Sequence, residues 1–176
     1  MDNMKNMEKR DLYDINRNLT GKTIFKGDNI PDGNYIIVVL VFIQNYDGKF
    51  LIQKRTEKKN GKFATTGGHP KSGENSIQGI ITEVKEEIGL DLKLDDLQLY
   101  YSGRSDLEKV FWDDYYIKMD VPNIENLVLQ KEAVESVCWL SIDEIKTFMK
   151  EDKFFKNHYE EFEKLLDWLN EKESNK

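Results

Sequence analysis

The longest uninterrupted apolar stretch, YIIVVLVFI from Tyr35 to Ile43, has no polar face and is rich in β-branched residues. Such a run predicts a central strand covered on both sides. The turn NYDG and the run KFLIQKR follow it, which predicts a hairpin between the two strands. Further strands are expected at LQLYYSG, KVFWDDYYIKMDV and VESVCWL, the last running into SIDEIKTFMK with Ser141 as helix cap. Between these groups Ile77, Ile80, Ile81, Val84 and Ile88 recur at three- and four-residue spacing. They predict an amphipathic helix from about Ser76 to Ile88, preceded by the turn and cap residues Ser72, Gly73 and Asn75 and stopped by Gly89. Phe155, Tyr159, Phe162, Leu166 and Leu169 form a second stripe, the packing face of a C-terminal helix over about residues 152–173. Near the other end, residues 10–26 read as a polar hairpin around DINRN, within an N-terminal unit of about residues 10–30 closed by the loop GDNIPDGN. With no repeat and no Pro/Gly/Ser linker, the expectation is one domain over residues 1–176, an α/β (α+β) sandwich with a mixed central β-sheet.

Charge narrows the function. A formal net charge of −7 and an isoelectric point near 5.0 leave no broad basic surface, which argues against a nucleic-acid duplex or a membrane surface as partner. Cys138 is the single cysteine, so no internal disulfide forms, and its setting in VESVCWL is that of a core strand. The N-terminal stretch MDNMKNMEKRDLYD carries no apolar signal segment, and YIIVVLVFI is too short to cross a bilayer. A cytoplasmic protein is expected.

One feature of the first helix runs against local physics. Glu83 lies three and four residues from Glu86 and Glu87, so the three carboxylates are neighbours on the helix surface. Each like-charged pair costs about 0.2–0.5 kcal/mol in an isolated helix, and Glu87 also sits at the end where the macrodipole disfavours an anion. A solvated acidic face is the plain explanation in so charged a chain. Three close carboxylates become favourable around a divalent cation, and an all-oxygen set suits Mg²⁺ or Mn²⁺ better than zinc.

The longer stretch GGHPKSGENSIQGIITEVKEEIGL decides between these. It resembles the Nudix box, G-x5-E-x7-R-E-U-x-E-E-x-G-U with U a bulky apolar residue, and Gly68, Glu74, Glu83, Val84, Glu86, Glu87, Gly89 and Leu90 all fall in register. Thr82 stands where the family has an arginine and cannot supply its charge-assisted contacts. The resemblance implies a Nudix pyrophosphohydrolase that cleaves a diphosphate in a nucleoside diphosphate derivative or related phosphometabolite. It further implies a metal site of Glu83, Glu86, Glu87 and the Gly68 carbonyl, with Mg²⁺ as cofactor or Mn²⁺ as its substitute, a supporting role for Glu74, and Glu86 or Glu87 as acceptor of the water's proton. A bound cation would neutralise the diphosphate and favour hydroxide as nucleophile.

Outside the box, Lys54, Arg55 and Arg104 are candidate phosphate contacts, and Glu132 is a candidate further ligand or base. Asp113 and Asp114 read as turn-facing and solvated, and His158 as a surface residue of the terminal helix. Tyr101, Trp112 and Tyr116 read as core or rim packing, with stacking on a base as the other use. FATTGGHPKSGE is also similar to isopentenyl-diphosphate isomerases, which share the fold, and His69–Pro70 points to that branch, but Gly67 occupies the position of the isomerase cysteine. A hydrolase of the isomerase-like branch is therefore expected. The alternative outside enzymology is a Nudix-fold ligand-binding module weakened by Thr82. A small phosphorylated substrate is the expected partner, and the N-terminal hairpin is a candidate surface for a homodimer.

Overall fold

The structure, a computed structural model, describes residues 8–175. Residues 1–7, which open the polar N-terminal stretch, and residue 176, the end of the expected domain, lie outside the described residues. The described residues form a two-stranded hairpin, a seven-stranded mixed sheet and three α-helices. Strands β1 (Lys9–Tyr13) and β2 (Leu19–Phe25) make the hairpin; β3 (Ile36–Gln44), β4 (Phe50–Arg55), β5 (Phe63–Ala64) and β6 (Thr66–Gly68) precede helix α1 (Ser76–Ile88). Strands β7 (Gln98–Ser105), β8 (Val110–Lys118) and β9 (Val134–Leu140) follow, then α2 (Ile142–Lys150) and α3 (Tyr159–Ser174).

β3 is the covered central strand its composition predicts, and it pairs in parallel with β8 along its whole length. The expected β3–β4 hairpin is only a stub, because the two strands pair at Gln44 and Phe50 and then diverge. β6 takes the vacated edge of β3, and β4 pairs instead with β5 and β9. The divergence opens the middle of the sheet beside the loop that leads into α1.

Alternation along β3 sends Ile37, Val39, Val41 and Ile43 to one face, where they meet Ile80, Val84 and Ile88 of α1. Leu40 and Phe42 go to the other face and pack with Phe162 and Leu165 of α3. The terminal helix starts at Tyr159, later than the apolar stripe suggests, after a 3₁₀ turn over Lys156–His158. Phe155 therefore lies before the helix, half-buried, and His158 has its Nδ1 buried rather than lying on the surface. Asp113 and Asp114 also depart from expectation. They sit mid-strand in β8 at 3% and 1% exposure, since the strand continues through them instead of turning.

Candidate active site

Helix α1 is fixed at both ends by its own sequence. Asn75 accepts from the Gln78 backbone N–H at 2.9 Å, while the Gln78 side chain accepts from Asn75 N–H at 3.0 Å. Gly89 ends the helix at φ 72°, a conformation that suits glycine. The loop before the helix lies hard against it: a Cβ on Gly79 would come within 2.6 Å of Pro70, and one on Gly68 within 2.3 Å of the Glu83 carboxylate. Those two absent side chains let the Gly68–Pro70 backbone reach the glutamates.

The three glutamates are held differently. Glu83 accepts from the His69 N–H at 3.0 Å, and burial pushes its carboxyl up to about 7 against that bond, with Glu87 adding repulsion. Glu87 accepts from the Gln53 amide at 3.0 Å and is likewise raised, first by burial, against the pull of Gln53 and Arg55. Glu86 is exposed and pairs with the Lys71 ammonium. Among the described residues, no three His, Cys, Asp or Glu side chains are gathered closely enough to hold a metal ion. The donor chemistry nevertheless fits a hard divalent cation. Two half-buried carboxylates share one helix face, the Gly68 backbone is adjacent, and Glu86 needs only to leave an exposed ion pair, which costs little.

Thr82 has a visible job. Its hydroxyl donates to Glu74 at 2.6 Å, and the Lys71 N–H donates to the other Glu74 oxygen at 2.9 Å. Glu74 is thus a brace for the loop, and a neutral hydroxyl stands on the helix where the family's arginine would be. The N-terminal hairpin adds a second brace. Asp11 accepts from the Ser72 hydroxyl at 2.6 Å and the Gly73 N–H at 2.8 Å, and Ser72 N–H donates to Lys9 O at 2.8 Å.

Of the expected phosphate contacts, only Arg55 is brought to the glutamates. It lines a cleft of about 680 Å³ together with Glu87, Gly67 and Gly68, and its guanidinium lies 4.7 Å from the Phe155 ring centroid. Lys54 donates instead to Gly61 O at 2.7 Å, and Arg104 is turned to Ile15 O at 3.2 Å and Asp106 at 2.8 Å. Glu132 is exposed, and its backbone carbonyl, not its carboxylate, is engaged, accepting from Thr56 at 3.0 Å. Its loop still passes the end of α1, where Gln130 N–H donates to Glu87 O at 2.8 Å.

From the glutamates the cleft runs across the sheet to Trp112, Asp114, His158 and Glu161. Nothing in the sequence reading placed Gln53, Asp114, Glu161 or His158 at the site. For Asp114 a signal existed: two acids within the apolar strand VFWDDYYI had to face opposite sides of a covered sheet. The indole of Trp112 lies over Gly103 of β7, where a Cβ would come within 2.5 Å of the ring.

The mixed sheet packed on a helix that carries the half-buried pair Glu83 and Glu87 has counterparts among known proteins. The model of the NUDIX domain matches residues 34–165. An uncharacterised Nudix hydrolase of Listeria monocytogenes is 34% identical over 152 residues, covering 84% of this chain and 88% of that protein. The chain belongs to the Nudix family and is one of its hydrolases. Solved structures share the fold, two of them as follows. A Deinococcus radiodurans protein has a TM-score of 0.68 at 19% identity, covering 88% of this chain and 96% of its own. The other, a bifunctional NMN adenylyltransferase/ADP ribose pyrophosphatase from Francisella tularensis complexed with AMP and a manganese ion, has a TM-score of 0.57 at 21% identity, covering 80% of this chain and 43% of its own.

The isomerase-like branch finds no support in these relatives, and the structure adds a reason. A Cβ at Gly67 would fall 2.6 Å from the Val39 carbonyl oxygen, so the isomerase's cysteine has no room there without a backbone shift.

Proposed function

We propose that the protein hydrolyses the diphosphate linkage of a nucleoside diphosphate derivative, with Mg²⁺ or Mn²⁺ held by Glu83, Glu86, Glu87 and the Gly68 carbonyl. The observation that carries this is the pair Glu83 and Glu87, half-buried on one helix face with their carboxyls raised by desolvation beside a cleft of substrate size. Bound there, a divalent cation supplies positive charge that neutralises the diphosphate and acidifies water. The chain's own residues do the rest. Gln53 and the His69 N–H orient Glu87 and Glu83, Arg55 meets phosphate oxygens at the cleft wall, and Glu86 or Glu87 accepts the water's proton. The Francisella neighbour, which shares the fold over 43% of its chain, is complexed with AMP and a manganese ion, in keeping with a nucleotide substrate here. Such an enzyme would act in the cytoplasm on a small phosphorylated substrate. Exposed Ile15 and Leu19 on the hairpin offer a homodimer surface, which sedimentation would check.

Phosphate release, with and without a coupled pyrophosphatase, across nucleotides and diphosphate metabolites tests the assignment. Turnover should require Mg²⁺ or Mn²⁺ and fall by about 10²-fold or more in Glu86→Gln/Glu87→Gln, the scale on which single catalytic groups act. A second reading, a binding module, is favoured by the Glu86–Lys71 pair, which turns one glutamate away from the other two. Tight nucleotide binding with no turnover across the panel would select it.

A further inference from the structure

The far end of the cleft gathers polar atoms that have no partner among the described residues. Both Asp114 oxygens, Trp112 Nε1, Glu161 Oε2 and His158 Nδ1 are buried without a hydrogen bond, and all four residues line the same cleft. Buried polar groups are normally satisfied, and leaving one unpaired costs about 1–3 kcal/mol, so four such residues facing one space mark a site whose partner is a ligand. Asp114 is the strongest of them, at 1% exposure and on the strand beside β3. By contrast Asp113, its neighbour on the opposite face, is fully engaged by Arg17 and Ser102.

Resting on the nucleotide-hydrolase reading above, we propose that this end of the cleft binds the nucleobase of the substrate, with Asp114, Trp112 and Glu161 reading its polar edge. The surrounding walls, Val38, Leu40 and Val110, are apolar. A flat ring fits such walls, because it presents its polar atoms along one edge and apolar faces elsewhere. A sugar fits poorly, since hydroxyls around its whole rim would face aliphatic carbon unpaired. Every nucleobase carries an N–H donor next to an acceptor on its pairing edge. A neutral carboxyl offers the matching acceptor and donor, the indole N–H adds a donor, and Glu161 Oε2 adds an acceptor. Burial, helped by the nearby Glu161 carboxylate, pushes Asp114 up to about 8, so the neutral form is the resting one. With Glu87 and Gly68 at the other end, the cleft sets base and diphosphate in one line.

Calorimetric titration of the metal-free protein with AMP, GMP, CMP and UMP, and with ribose 5-phosphate as the base-free probe, tests this without turnover. At least one nucleotide should bind tenfold or more tightly than ribose 5-phosphate. Asp114→Leu, which removes both donor and acceptor, should erase that preference, Asp114→Asn, which keeps one of each, should retain it, and Glu161→Gln should reduce it. Equal or undetectable binding of all five probes overturns the proposal, as does a preference that survives in a folded Asp114→Leu protein. The two readings fail separately: base preference without metal-dependent turnover removes the hydrolase and keeps the base site, whereas turnover indifferent to the base does the reverse.

Discussion

The two faces of the sheet treat their acids in opposite ways. On the face shared by the hairpin and α1, Asp113 takes a forked contact from Arg17, one arm at 2.9 Å, together with Ser102; Asp11 grips the Ser72–Gly73 turn, and Glu74 is held by Thr82 and Lys71. On the α3 face, Asp114 and Glu161 hold buried oxygens that nothing among the described residues satisfies. Burial pushes the Asp113 carboxyl up, but its partners outweigh that and hold it below its usual value, whereas Asp114 is raised. Adjacent residues of one strand thus serve different ends. One acid belongs to the scaffold, and the other is left open for something that arrives from outside.

The largest effect that would break this contrast comes from Arg17→Ala. It strands a buried Asp113 charge and should cost about 3 kcal/mol, at the lower edge for a broken buried ion pair because Arg17 remains partly wet. Denaturant unfolding would measure it, and a loss under 1 kcal/mol would mean the hairpin is not held by this pair.

Next comes Asp114→Asn, which should stabilise. In the folded protein Asp114 gives up its proton only near pH 8, and in the unfolded chain at about pH 4. Between those values the folded state holds a proton that the unfolded state has lost, so its contribution to stability falls as pH rises and levels off above pH 8. The variant lacks that slope. Its advantage in unfolding free energy should grow from pH 5 to pH 8 and reach about 1–2 kcal/mol or more, the usual scale for an unpartnered buried polar group. A pH-independent difference would show that Asp114 has a partner after all.

Thr82→Val should have the smallest effect. Removing one hydroxyl from Glu74 should cost about 1 kcal/mol, with metal affinity little changed because Glu74 braces the loop and does not face the cleft. A large fall in Mg²⁺ affinity, followed by calorimetry, would instead tie Glu74 to the cation.

Much of this was legible in the sequence, for stated reasons. Period-3.6 spacing and strong end signals gave α1 its observed limits, Ser76 and Ile88, and the unbroken apolar run identified β3. Spacing alone also put Glu83 beside Glu86 and Glu87, but not the rotamers that turn Glu86 to Lys71. Long-range pairing was hidden. The partners of Lys54 and Arg104, the diversion of β4 towards β9, and the burial of Asp113 and Asp114 depend on residues tens of positions away. The acids were misread because a polar pair in a strand looks like a turn until both faces of that strand are known to be covered.

Trp112 owes its place to what Gly103 lacks. A methyl group there would overlap the indole at 2.5 Å, so the ring would have to move and the wall of the cleft with it. Ligand choice at this end is therefore adjustable from the neighbouring strand, by a position that never meets the ligand. Selection for a different substrate could act on Gly103 and reshape the cleft while every acid on its surface stayed the same.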